Sequence, residues 1–113
     1  MKNKIISLIL NIFLFFTVTS QLYASEQAWS LLQEGNKIIL IRHSLAPGGG
    51  DPAGFKIDNC KTQRNLNRVG INQSKKIGKL FKQNKVPVDQ VLSSQWCRCK
   101  DTAKYAFRNY KVF

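Results

Sequence analysis

Residues 38–43 read Ile-Ile-Leu-Ile-Arg-His, four consecutive apolar side chains running directly into an arginine and the one histidine of the chain. A short apolar run rich in β-branched residues, entered from the turn-like Glu34-Gly35-Asn36, predicts a central parallel strand buried on both faces. Residues just past the carboxyl end of such a strand stand in the crevice where open α/β sheets bind ligands. Arg42 and His43 are therefore the first candidates for chemistry. The competing reading is a core strand that merely surfaces at a charged pair.

The N-terminus has a different character. Lys2 and Lys4 precede an apolar run from Ile5 to Phe16, broken only by Ser7 and Asn11, and a polar stretch then leads to Leu22-Tyr23-Ala24. That layout predicts a secretory signal peptide over residues 1–24, with Ala24 as the small residue before the cut. An uncleaved membrane anchor is the alternative, since residues 5–24 are long enough to span a bilayer. Asn11 and the polar segment from Thr17 to Gln21 count against it. Ser25, not a cysteine, stands directly after the cut, which argues against a lipoprotein.

Residues 25–113 make one small domain whose stability margin is thin unless something staples it. The formal charge is +12, of which Lys2 and Lys4 supply two, leaving +10 on the exported part. This favours anionic partners: phosphate esters, acidic lipids or nucleic acid, with export making nucleic acid the least suitable.

A short helix is expected over residues 25–34. Residues 44–65 carry Pro47, Gly48, Gly49, Gly50, Pro52 and Gly54, a density of turn formers that predicts a long irregular loop directly after His43. Loops of this length inside compact domains are usually functional or disordered, and this position favours a role facing substrate. Neither GxxxxGK[ST] nor GxGxxG is present, so nucleotide binding has little support. From Arg68 to Gln83 the spacing changes to a helical period, with Asn67 as N-cap, Gly70, Gln73, Ser74, Ile77, Leu80 and Phe81 on one face, and Lys75, Lys76, Lys79 and Lys82 largely on the other. Residues 89–93 form a second predicted strand. Ser94 is placed to cap a last helix, residues 95–107, with Trp96, Ala103 and Phe107 inward.

Strand, helix, strand, helix predicts a βαβα unit whose two strands are parallel neighbours with their carboxyl ends on one edge. Arg42, His43 and Arg98 would then converge near a helix N-terminus, which favours anions. Arginine suits that task because its planar fork can hold two phosphate oxygens at once.

The blocks IRHS, LNRVGINQSKKIGKLF and VLSSQWCRCKDTA, in this order between Ile38 and Ala106, resemble the histidine phosphatase (phosphoglycerate mutase-like) superfamily, and in particular its exported envelope phosphatases, including lipopolysaccharide core heptose phosphatases. The resemblance implies an α/β fold, a partial phosphoglycerate mutase-like three-layer sandwich. It implies His43 as covalent nucleophile, with Arg42 and Arg98 binding the phosphoryl group. Neutral imidazole attacks phosphorus, and water later hydrolyses the phosphohistidine, so one difficult displacement becomes two. Chemistry of this kind calls for no metal and no cofactor.

Three departures qualify that implication. Ser44 stands where the family has glycine, a second histidine is lacking, and the likeness covers only the N-terminal half of such a domain. Impaired turnover is therefore expected, and a non-catalytic phosphate-binding remnant is the alternative. Asp51 and Asp58 are candidates for the missing acid, and Arg64 for a further phosphate contact. The expected partner is a phosphorylated small molecule or an envelope glycolipid, with an anionic membrane surface also of suitable charge and nucleic acid not expected.

Cys60, Cys97 and Cys99 remain. In the oxidising compartment that export implies, a disulfide is expected. Cys97 and Cys99 diverge by about 200° on a helix and cannot join each other, so Cys60 pairs with one of the two and an odd thiol is left. A zinc site built from the three cysteines and His43 is the rival, weakened by the lack of CxxC spacing.

Overall fold

A computed structural model describes residues 25–113; the segment read as a signal peptide or anchor lies outside the described residues. The described residues begin within a helix, α1, which runs through residues 25–33. Gly35 closes it from the left-handed region (φ +71°), its N–H donating to the Leu32 carbonyl at 3.2 Å. Trp29 meets Phe81 edge to face with ring centres 6.2 Å apart, and Gln33 Nε2 donates to the Asn84 carbonyl at 2.8 Å, tying α1 to the helix that follows.

That helix, α2, spans Arg68–Gln83, and the Asn67 side chain accepts from the Gly70 N–H as an N-cap should. Its end is equally well defined. Lys85 takes a left-handed conformation (φ 52°), its N–H donates to Lys82 O, and the Val86 N–H reaches back to Phe81 O at 3.0 Å. These paired bonds form a Schellman closure, with buried Val86 as its apolar partner.

Strand β1 (Leu92–Ser93) leads into helix α3 (Cys97–Phe107), and strand β2 (Lys111–Val112) returns parallel to β1 with Leu92 opposite Lys111 and Ser93 opposite Val112. Between α3 and β2 the chain reverses at Arg108 (φ 66°, ψ −57°), where the Asn109 N–H bonds to Phe107 O across a tight γ-turn. Together these elements make a small α/β fold with a two-stranded parallel sheet.

Two glycines set how closely the layers approach. A Cβ on Gly70 would strike the Leu45 carbonyl, and one on Gly78 would strike the Ala106 carbonyl. With Ser74 bonded to Ser44 between these levels, α2 and α3 run in the same direction, and Phe81 packs edge to face on Phe107 at 5.1 Å. The interior has little oil in it. The buried apolar residues are Ala46, Val86, Cys97 and Ala103, while Ser44, Gln63, Ser74, Ser93 and Thr102 are buried and polar. Hydrogen bonding among small side chains therefore contributes much of the order in the centre. Among the described residues no helix is long and apolar enough to cross a membrane.

Two expectations need correction. Residues 38–41 were expected as a buried strand beside residues 89–93, but they lie outside every strand, and β1 takes β2 as its neighbour. Ile38 and Leu40 are 93% exposed, Ile39 and Ile41 39% and 42%. Apolar composition expresses a preference for burial, but a strand also needs a second chain segment for its N–H and C=O groups. No described segment pairs with this one. The second correction concerns α3, which begins at Cys97 after Trp96, without the side-chain cap expected from Ser94.

Candidate functional site

The missing cap of α3 is replaced from a distance. Gln63 Oε1 accepts from the Cys97 N–H at 3.0 Å, while Gln63 Nε2 donates to the carbonyls of Lys56 and Ile57 at 2.9 Å each. One buried side chain thus satisfies the first turn of α3 and fixes the loop that supplies it. Directly beside it, Cys60 and Cys97 form a disulfide with their Cα atoms 5.6 Å apart, and Cys99 is left as the free thiol. Of the two pairings left open by the sequence, geometry selects Cys97. Cys60 belongs to a short 3₁₀ turn, Cys60–Thr62, capped by Asn59, whose side chain accepts from the Lys61 N–H.

The same loop reaches the arginine of α3. Arg98 Nη1 lies 3.1 Å from both carboxylate oxygens of Asp51, and Asp51 Oδ1 also accepts from the Arg64 N–H at 2.9 Å. Both charged side chains are largely covered, 12% exposed for Arg98 and 10% for Asp51. The Arg98 guanidinium stacks over Trp96, 4.4 Å from the ring centre, and Trp96 in turn packs on Phe55. Arg64 Nη1 donates to the carbonyls of Ala46, at 2.6 Å, and Gly48. Gly48 suits this turn because its φ is +104°, a backbone conformation that residues with a side chain rarely adopt. Both Arg64 Nε and Arg98 Nε are buried without a hydrogen-bond partner. Asp51 therefore joins two guanidinium-bearing residues that each keep one buried N–H without a partner.

His43 stands at the entrance to this loop, half-buried, with Nδ1 2.7 Å from the carbonyl of Ser44. A carbonyl only accepts, so Nδ1 is the donor in this contact, and in the uncharged form of the ring the lone pair is then on Nε2. The adjoining backbone is held firmly. The Ser44 N–H donates to Thr102 Oγ1 at 3.0 Å, Thr102 Oγ1 donates to the Arg98 carbonyl at 2.8 Å, and Ser74 Oγ donates to Ser44 Oγ at 2.7 Å. Two hydrogen bonds thus connect the residue after His43 with the backbone of Arg98.

The predicted site residues separate into two sets. Arg98, Arg64 and Asp51 share hydrogen bonds across the loop and α3, while His43 connects to them only through the backbone of Ser44 and the Thr102 hydroxyl. Arg42 and Asp58 are exposed and make no side-chain hydrogen bond among the described residues. Gln63, Thr102 and Ser74 were missed as organising residues. Thr102 carried a local signal, because a threonine four residues after Arg98 can bond back to its carbonyl within the helix. Gln63 carried none, since its partner at Cys97 is 34 residues away.

Comparison of this chain with family models, with curated proteins and with solved structures finds no match.

Proposed function

We propose that this chain is an exported phosphomonoesterase of the histidine phosphatase type, built on part of a phosphoglycerate mutase-like three-layer sandwich. The observation that carries the reading is the orientation of His43: its Nδ1 is engaged by the Ser44 carbonyl, which leaves Nε2 as the nucleophilic nitrogen. Arg98 and Arg64 supply the cationic surroundings that a transferring phosphoryl group requires.

In the proposed reaction Nε2 bonds to phosphorus as the ester P–O bond breaks, and the alcohol departs with a proton from an acid or from water. Water then attacks the phosphohistidine, releasing inorganic phosphate and restoring the imidazole. The substrate class is a phosphorylated small molecule or an envelope glycolipid, and the disulfide is compatible with the oxidising compartment in which such a substrate would be met.

His43→Ala is expected to reduce phosphomonoester turnover to background and to abolish phosphohistidine trapping. Arg98→Ala is expected to lower turnover by about 10²–10³-fold through lost transition-state stabilisation. Unchanged turnover in His43→Ala would overturn the nucleophile assignment. A second reading is phosphate binding without turnover: the Asp51 carboxylate held against Arg98 neutralises its charge and leaves less of it to stabilise a transferring phosphoryl group. Phosphate binding by a parent chain that neither turns over nor forms phosphohistidine would select it.

A further inference from the structure

Away from the Arg98–Asp51 pair, the middle and C-terminal parts of α2 and α3 carry a cluster of exposed cations. Lys75, Lys76, Lys79 and Lys82 recur along one side of α2, and all four are exposed. Lys104 and Arg108, four residues apart at the end of α3, are exposed as well. Close helix contact unites the two rows. Because Gly78 lies against the Ala106 carbonyl without a side chain between, Lys75, Lys79 and Lys82 share with Lys104 and Arg108 one open groove of about 770 Å³.

This charge is uncompensated. Helix α2 contains neither Asp nor Glu, and the one carboxylate of α3, Asp101, lies nearer its N-terminus and outside the groove. The ion pairs among the described residues are Lys37 with Glu34 and Arg98 with Asp51, both elsewhere. The only aromatic ring in the groove is Tyr105, with Lys75 Nζ 5.8 Å from its centre. Carbonyl groups at both helix ends favour cations there, but such a field accommodates the lysines without neutralising them. Gathered along one groove, these cations repel one another unless an extended anion lies against them.

We propose that the outer face of α2 and α3 is a docking surface for the anionic phospholipid headgroups of a bilayer. Complementarity of charge argues for a polyanion, and two features favour lipid over nucleic acid. The Cys60–Cys97 disulfide is compatible with an oxidising compartment, where membrane surfaces and not nucleic acid are the prevalent polyanion. The groove also offers one tyrosine, not the succession of aromatic platforms on which single-stranded bases stack. Docking in this way leaves the N-terminal end of α3, with Arg98, at the far end of the helix from the membrane-facing cations.

The test is vesicle co-sedimentation of the purified chain with phosphatidylcholine alone and with phosphatidylcholine containing phosphatidylglycerol. Binding to the anionic vesicles only, weakening as salt rises, is expected. The triple variant Lys79→Gln, Lys82→Gln, Lys104→Gln should bind roughly 100-fold more weakly, from the usual contribution of a cation near an anionic surface. A control that neutralises Lys37, Lys56 and Lys61 should bind like the parent, as should His43→Ala. Equal loss in the control would show a general charge effect and overturn the assignment of this face. Binding to neutral vesicles, or tight binding to an oligonucleotide with none to anionic vesicles, would overturn the lipid assignment.

Discussion

The α2–α3 pair and the segment from Ile38 to Ile41 are both strongly patterned stretches of the described residues, and they end in opposite states. The helices contain no long oily stripe, yet they are capped, closed and packed through Gly70, Ser74 and Gly78. Residues 38–41 are all apolar, yet Ile38 and Leu40 lie almost fully in solvent. The difference lies in where each element finds its backbone partners. A helix satisfies its interior N–H and C=O groups within itself, so local spacing and a capping residue suffice to define it. A strand depends wholly on a neighbour, and no amount of apolar character supplies one.

That contrast can be broken most severely at the disulfide. Cys97→Ser, or reduction, opens a loop closed across a separation of 37 residues, and in the chain-entropy model the expected loss is about 3–4 kcal/mol. Thermal unfolding with and without reductant measures it, and a Cys99→Ser control should leave the melting temperature nearly unchanged. If reduction cost nothing, the helix pair would be stable without the loop that now covers it.

Gly78→Ala sharpens the comparison at the helix contact. Alanine improves helix propensity by about 1 kcal/mol, but its methyl group would drive into the Ala106 carbonyl, and overpacking costs about 1–3 kcal/mol or more. Because the methyl group meets backbone, we expect the upper part of that cost and a net destabilisation of about 2 kcal/mol by denaturant unfolding. A stabilised variant would mean that the two helices separate easily and that their close approach matters little.

The smallest stability effect is expected on the other side of the comparison. Leu40→Lys should alter stability by less than about 0.5 kcal/mol, because the side chain it replaces is exposed. It should nevertheless reduce concentration-dependent association, since an apolar segment with free backbone groups is a template for pairing. Light scattering beside an unfolding curve separates the two effects. A loss of several kcal/mol would show that residues 38–41 are buried in solution.

Much of the helical architecture was legible from spacing and capping alone. Asn67 and the residues after it placed α2 at its observed bounds, and the Gly/Pro-dense stretch after Ser44 marked the long loop. Cysteine geometry on a helix reduced the disulfide to two pairings. In each case the deciding interaction spans a few residues, or follows from the direction in which a helix projects its side chains.

What needed the third dimension was every feature whose partner is distant in the chain. The choice of Cys97 over Cys99 came from the seat of the loop against α3, and the cap of that helix from Gln63. The carboxylate on Arg98 comes from Asp51, 47 residues earlier, and the neighbour of β1 is β2 instead of the more apolar residues 38–41. A local pattern can state what a residue is able to bond or bury. Which group meets that need is decided by packing, because only the folded chain brings donors, acceptors and surfaces from distant positions within bonding reach.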